Sequence, residues 1–590
     1  MTRGLHCVAV NRPWRLHWQL DGTRFAGLLP DVAALSMHGL DMTPRIERLR
    51  RTPATGPSAA AVQEPPSRTV GIGPGRPTHT LGLNASTRTL TQVMMLLLGA
   101  MLFGYTCSRA YLLSFTHDES VTYVVHVQSS LDDILHFRVG IAPSNNHLLN
   151  TLLVKLSASL FGQSELALRA PNLLAHLMYL SFSYLLVDRF SSSLIKLSGF
   201  ILLNANPFLL EHFSLARGYG LALAFMLGSL YFALRCFDAE ELKPTDLFLP
   251  PLFAAYAVMA SLTFIHFYVA LAGVLAVLTL WRLVRAMVRA KQGLSLKKLG
   301  IIALYRNLPL LISTLMWAVV MVPGILRLGQ ANDIHSPGGG GDFPGQQPNF
   351  WNVTITSLLQ LSLYGRSYLA EWMPIVAAAV AVVVLVNCAL LVAHLLRYRI
   401  GGSTLPLSIL PIAGLMASTT IGEHYLFDVG FLNGRMTILF VPVLGLLALN
   451  CLYAVTSIGG PARPFGVGLA ALVGVLCLVH AVNSLDFAST QEAWVYADAR
   501  RMIDDLAVEY ESSDRVGRQV SLGMTPWVAP IVTYYRATRG LTWLEEADLD
   551  GDSDYYYYAR WEERDLRGRA VAEVAEYPVS EHVLAKRTTR

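Results

Sequence analysis

The chain has 590 residues, 53% of them hydrophobic and 15% charged, where a soluble domain carries about 25% charged residues. That balance excludes an ordinary soluble enzyme and predicts a polytopic membrane protein. The net charge of +5 comes largely from arginines in the N-terminal segment and in loops between apolar runs, so it reports topology and implies no nucleic-acid partner.

Residues 1–90 are rich in Arg, Pro, Ser, Thr and Gly and carry clusters such as Arg48-Leu49-Arg50-Arg51 and Gly71-Ile72-Gly73-Pro74-Gly75. Without a sustained apolar period they read as a disordered cytoplasmic tail, and they lack the layout of a signal peptide. The transmembrane domain is expected over 91–485. Its apolar runs fall at about 92–113, 168–187, 194–211, 215–235, 247–265, 267–285, 301–325, 372–396, 404–420, 436–456 and 464–484, which predicts eleven helical spans. Under that odd count Arg88, Arg189 with Lys196, Arg282 to Lys298, Arg397 with Arg399, and Arg463 share one side, and the positive-inside bias makes it the cytoplasm. Six cysteines (Cys7, Cys107, Cys236, Cys388, Cys451, Cys477) lie scattered, mostly inside apolar runs. They form neither a disulfide framework nor a zinc spacing.

One apolar run is left out of the count. Between His147 and Phe161, Leu149, Leu152, Leu153, Leu156 and Leu160 recur at helical spacing while Asn150, Thr151, Lys155 and Ser159 take other faces. The run is short for a span, so an amphipathic helix lying at the interface is expected. The same topology puts on the outer face the segment 114–166, the turns around Glu211 to Arg217 and around His266, the loop 326–371, the stretch Thr420 to Arg435, and a C-terminal domain over 486–590. The 326–371 loop, with Pro337, Gly338 to Gly341, Pro344 and Pro348, reads as a mobile cover. The C-terminal domain mixes charges with Trp494, Trp527, Trp543 and Trp561 and reads as a small α/β fold. The fold class is thus an all-α polytopic membrane protein with a small extracytoplasmic α/β domain.

The sharpest chemical feature is His117-Asp118-Glu119-Ser120, two adjacent carboxylates just past the first span. A carboxylate there is costly unless it binds a cation or serves as a base; alternatively, one of the two opens a helix toward Val127. By the span count, His147, Arg169, Arg217, Tyr219, His266, Tyr268 and Arg435 also lie near the outer surface. Arginines at span ends commonly snorkel to headgroups. Three on the face that the positive-inside bias avoids need a local reason, and the phosphate of an anionic lipid is one.

The stretches His117-Asp118-Glu119-Ser120, Asn146-His147-Leu148-Leu149, Leu160 to Pro171, and Leu215-Ala216-Arg217-Gly218-Tyr219-Gly220 together resemble the C-type membrane glycosyltransferase superfamily, in its branch of protein O-mannosyltransferases and aminoarabinose lipid A transferases. The resemblance covers about 90–490, with its specific part in 114–220. The chain departs from the family pattern at His147-Leu148-Leu149, where members commonly have His-Pro-Pro, and at Arg435-Met436, where they have Arg-Tyr. The resemblance implies a multi-pass protein of the inner (plasma) membrane that takes a sugar from a polyprenyl-phosphate donor on the outer, periplasmic face and passes it to a glycan, lipid or protein acceptor. It implies Asp118 as the base of an inverting reaction and Glu119 as a residue that orients the acceptor or helps hold a cation. Arg169, Arg217, Tyr219, His147 and Arg435 would bind the donor phosphate. A divalent metal is possible chemistry for Asp118, Glu119, His147 and His266, although no local spacing identifies one.

Two further features are weighed and set aside. Asp548-Leu549-Asp550-Gly551-Asp552-Ser553-Asp554 resembles half a calcium loop, but Ser553 and Ala559 stand where glycine and a bidentate glutamate are required, so a solvated acidic turn is expected. The run Tyr555 to Tyr558 reads as strand and core before it reads as a ligand surface. Glu423 and His424 either line an acceptor site or cap a helix. The competing functional class is a transporter or flippase of lipid-linked sugars; such proteins place charges near the midplane on paired repeats, and no repeat is evident in this sequence. A degenerate scaffold is the third reading, against which the intact Asp118-Glu119 pair stands.

Overall fold

The protein is described by a computed structural model over residues 80–139, 145–239, 242–289, 296–330, 349–366, 370–396, 405–458, 460–566 and 568–588. The chain divides into units Met1–Leu83 and Asn84–Arg590. Most of the expected tail, and the Pro337 to Pro348 cover, lie outside the described residues. The first long helix, Thr80–Leu112, begins inside the stretch read as tail.

Eight helices among the described residues are long and apolar enough to cross a membrane: Ser86–Leu112, Glu165–Val187, Gly218–Asp238, Leu262–Val288, Leu308–Arg327, Met373–Leu395, Gly434–Ser457 and Ala462–Asn483. A bent pair, Ser193–Asn204 and Pro207–Phe213, makes a ninth if it is one span. The other two expected runs fold as Leu249–Ala260, only 12 residues long, and as Leu405–Phe427. Gly218–Asp238 and Gly434–Ser457 are each 72% buried and form the centre of the bundle, whereas Met373–Leu395 is 6% buried and lies at its edge.

The bend in the pair is 61° and follows from Asn206-Pro207. Proline lacks the N–H that would continue the first helix and restricts the residue before it. Asn206 then caps the second helix by accepting from the Leu209 amide at 3.2 Å. The chain after the bend delivers Glu211 and His212 into the protein, both buried. The expected interfacial helix is Leu148–Phe161. Leu148 and Val154 are buried while Leu156, Leu160 and Phe161 are exposed, the one-sided burial of an amphipathic element.

The C-terminal part is α/β as expected. Strands β1 (Val520–Met524), β2 (Leu544–Asp548), β3 (Tyr555–Ala559), β4 (Val571–Tyr577) and β5 (His582–Arg587) form one sheet of order β2-β1-β3-β5-β4. β1 runs parallel to β2 and β3, and β5 pairs antiparallel with β3 and β4. Tyr555 to Tyr558 are all buried in β3. The domain shares a core with the first loop of the membrane part: the Phe115 ring stacks on Tyr534 at 4.2 Å, the Phe115 amide donates to the Tyr535 hydroxyl at 3.0 Å, and Arg500 donates to Glu165 at 2.9 Å and to the Leu113 carbonyl at 3.0 Å.

Candidate active site

Just past the first long helix, Thr116 caps the short helix His117–Val121 in a capping box with Glu119. Glu119 is fully buried and its carboxylate is saturated. It accepts from Arg169 Nε and Nη2, each at 2.8 Å, from the Thr116 amide at 3.0 Å and from the Ala216 amide at 2.7 Å. Arg169, also fully buried, spends its remaining donors on the carbonyls of Ala110, Leu113 and Ser114. The pair therefore ties the end of the first long helix, the start of Glu165–Val187 and the loop before Gly218 together. Neither residue lines the cavity beside them.

That cavity, about 250 Å³, is walled by Asp118, Arg217, Tyr219, Arg435, Glu492 and the residues next to them. Asp118 pairs with Arg435 and stands 3.6 Å from Arg217. Burial works against its charge, but Arg217, Arg435 and His117 together hold the carboxyl well below the usual carboxylate range. Arg217 also donates to Asn145 Oδ1, and its Nε is buried with no partner. Arg435 opens the 3-10 helix Gly434–Leu439, lies over the Tyr219 ring, and is 3.9 Å from Glu492. Burial raises the Glu492 carboxyl, Arg435 opposes the rise, and the Asp118 charge adds to it. Two acids of opposite tendency thus face one guanidinium.

The loop that carries Arg217 is shaped by glycine. A Cβ on Gly218 would stand 1.8 Å from the Ala260 carbonyl oxygen, and one on Gly220 would stand 2.7 Å from both Asn172 Oδ1 and the His212 carbonyl oxygen. The chain can pass here only without side chains at those positions, which fixes Arg217 and Tyr219 at the cavity. His147 packs edge-on against the Tyr219 ring at 5.3 Å, and His212 lies tilted against the same ring at 5.1 Å. His147 has a buried, unpartnered Nε2; burial, and after it Arg217 and Arg435, push its pKa down.

A second buried pair, Arg109 and Glu211, stands at another wall, where Glu211 itself lines the cavity. Glu211 is 3.5 Å from Arg109, accepts from Tyr364 and accepts from the Gln491 amide at 2.9 Å. Arg109 donates to the Ser489 carbonyl at 3.1 Å. The segment after the last long helix is held by these contacts, and Glu492, Tyr496 and Trp527 complete the cavity from the C-terminal side.

Of the residues singled out in the sequence, Asp118, Arg217, Tyr219 and Arg435 come together at the cavity, with His147 against Tyr219. Glu119 and Arg169 lie behind it. His266 is elsewhere, 3.0 Å from Glu423, and Tyr268 bonds Thr314 at 2.6 Å. His424 bonds the Val429 carbonyl at 2.8 Å. The four metal candidates are therefore not gathered, and among the described residues no group of three or more His, Cys, Asp or Glu is clustered for a metal. In the acidic turn, Asp554 accepts from the Ser521 amide at 3.0 Å and pairs with Arg515, while Asp552 pairs with Arg587 at 3.1 Å. Glu211 and Trp527, placed by the sequence only on an outer turn and in the C-terminal domain, also line the cavity, as do His212, Glu492 and Tyr496, which the sequence does not single out. The available signal for Glu492 was an acid soon after the last span, on the side assigned to Asp118.

No family model matches the sequence, and no curated protein matches it. Among solved structures the chain is similar to ArnT from Cupriavidus metallidurans in the apo state, with a TM-score of 0.46 and 12% identity over 84% of this chain and 98% of that one. It is also similar to the same protein bound to undecaprenyl phosphate, with a TM-score of 0.44 and 11% identity over 84% of this chain and 97% of that one.

Proposed function

We propose that the protein is a membrane glycosyltransferase that moves a sugar from a polyprenyl-phosphate donor to an acceptor hydroxyl, with inversion, in the cavity between Asp118, Arg217, Arg435 and Glu492. The observation that carries this reading is the convergence of Arg217 and Arg435 on the single carboxylate Asp118 at one wall of a cavity in an apolar bundle. Two guanidiniums at such a site match a phosphate headgroup, which they bind with charge-assisted hydrogen bonds. The cavity is assigned to the outer face by the distribution of basic loops in the sequence.

A sugar on a lipid phosphate already has a leaving group, so the protein must hold the departing phosphate and take the acceptor proton. Arg217 and Arg435 stabilise the charge that develops on the phosphate as the C1–O bond breaks. Asp118 keeps both guanidiniums aimed when no phosphate is bound. Glu119 and Arg169, placed by sequence among the reacting groups, are assigned a positioning role through the Ala216 amide, and His147 supports the ring of Tyr219. The sugar and the acceptor are left open among hexoses and pentoses and among glycan, lipid and protein hydroxyls.

The test is release of sugar from a panel of radiolabelled polyprenyl-phosphate donors by purified protein in lipid nanodiscs, comparing wild type with Asp118→Asn. One donor should be consumed by wild type and remain intact with the variant, while the variant keeps its thermal unfolding profile. Donors that all remain intact, with one crossing the bilayer of proteoliposomes, would move the assignment to a flippase.

A further inference from the structure

Resting on the glycosyl-transfer reading, we infer that Glu492 is the residue that accepts the acceptor's proton, and that Asp118 is the residue that organises the phosphate-binding arginines. The division follows from how the two carboxylates are held. Asp118 pairs with Arg435 and lies 3.6 Å from Arg217, so its lone pairs are directed at the two groups that a phosphate needs. Glu492 lines the same cavity; its carboxylate accepts from the Arg435 backbone amide and stands 3.9 Å from the Arg435 guanidinium, so no cationic side chain holds it closely. A base must have a free lone pair within hydrogen-bond distance of the hydroxyl it deprotonates, and Glu492 has the looser hold of the two.

The framework around Glu492 repeats the one around Arg217. The buried Glu119–Arg169 pair receives the Ala216 amide at 2.7 Å, fixing the backbone one residue before Arg217. The buried Arg109–Glu211 pair receives the Gln491 amide at 2.9 Å, fixing the backbone one residue before Glu492. Burying two ion pairs is energetically demanding and is weak evidence of stabilisation by itself. Each pair here spends a carboxylate lone pair on the amide preceding a charged cavity residue. Glu492 shares the cavity lining with Tyr496 and Trp527, residues of the C-terminal part.

In the step, the acceptor O–H gives its proton to the Glu492 carboxylate as the acceptor oxygen bonds to C1 of the sugar. The C1–O bond to phosphate breaks with its electron pair going to the phosphate oxygen between Arg217 and Arg435. The products are the glycoside, polyprenyl phosphate and a neutral Glu492, which returns its proton to solvent.

Azide separates the two roles, because it attacks as an anion and needs no base. Full-length protein in nanodiscs is supplied with the donor that wild type consumes, and hydrolysis by water is compared with formation of the glycosyl azide. Glu492→Gln should lose about 10²–10⁴-fold in hydrolysis while forming glycosyl azide within about threefold of wild type, a range far below the effect expected of a lost base. Asp118→Asn should lose both reactions. Glu492→Asp, which keeps a carboxylate on a shorter arm, should recover part of the hydrolysis. Equal loss of both reactions in Glu492→Gln with Glu492→Asp equally inactive would make Glu492 structural, and unchanged hydrolysis in Glu492→Gln would exclude it as the base; either result overturns the inference and leaves glycosyl transfer standing. A wild-type protein that consumes no donor in either reaction would instead overturn the reading on which the inference rests.

Discussion

Asp118 and Glu119 are neighbours in sequence and opposites in structure. On a helix, successive side chains point about 100° apart, so the first faces the cavity and the second faces the protein. Adjacency in the sequence groups two residues that the structure holds differently; the information missing from the sequence is the direction of each side chain, which the capping box with Thr116 sets. The two kinds of arginine should part accordingly. Arg169→Met leaves Glu119 buried and unpaired, which costs about 3–5 kcal/mol, and thermal unfolding in detergent should show a large fall in Tm. Arg435→Gln, at a side chain 38% exposed, should leave Tm nearly unchanged. It should weaken binding of polyprenyl phosphate about tenfold or more, the loss expected for a charge-assisted bond of about 1.5–3 kcal/mol. Glu492 gives a pH test of stability. Its folded pKa is raised, so its ionised form penalises the folded state above that pKa, and both states are protonated below the unfolded value near 4.3. Glu492→Gln should therefore unfold at a higher temperature than wild type in alkaline buffer, with the difference disappearing as pH falls below that unfolded value. A difference that grew toward acid would contradict the assignment.

At the scale of elements, the apolar runs were legible because membrane-spanning helices must be long and hydrophobic, and the short run from His147 was separable by its one-sided pattern. The apolar run 194–211 contains the 61° bend at Asn206-Pro207. Composition there stays apolar across the bend, and a sum over composition is blind to a missing backbone donor. Gly218 was quoted in a motif, but only the packed structure gives its reason, the Ala260 carbonyl oxygen 1.8 Å from where a Cβ would stand. Gly218→Ala must shift backbone against backbone and move Arg217. Affinity for polyprenyl phosphate should fall at least as far as in Arg435→Gln, and protein yield should fall as well, both measurable from one purification.

At the scale of the whole molecule, the C-terminal part, expected as a small α/β domain, also contributes Glu492, Tyr496 and Trp527 to the cavity. Its sequence carries mixed charge and alternating aromatics, which suffice to suggest strands and a core. That Glu492, Tyr496 and Trp527 reach a cavity begun by Asp118 is a tertiary fact with no local signature, since the linker is held by Arg109 and Glu211 more than 270 residues earlier in the chain. Arg500 bridges Glu165 and the Leu113 carbonyl, so Arg500→Ala should loosen the domain against the first loop, detectable as faster amide exchange over 114–123 together with slower sugar release. The central claim is that the donor's phosphate reacts between Arg217 and Arg435. A cryo-EM structure in lipid nanodiscs with a non-hydrolysable polyprenyl-phosphonate sugar tests it most directly. The account predicts phosphonate density in contact with both guanidiniums, Asp118 released from Arg435, and the sugar's C1 open toward Glu492; a headgroup bound elsewhere, with Asp118 still paired to Arg435, would contradict it.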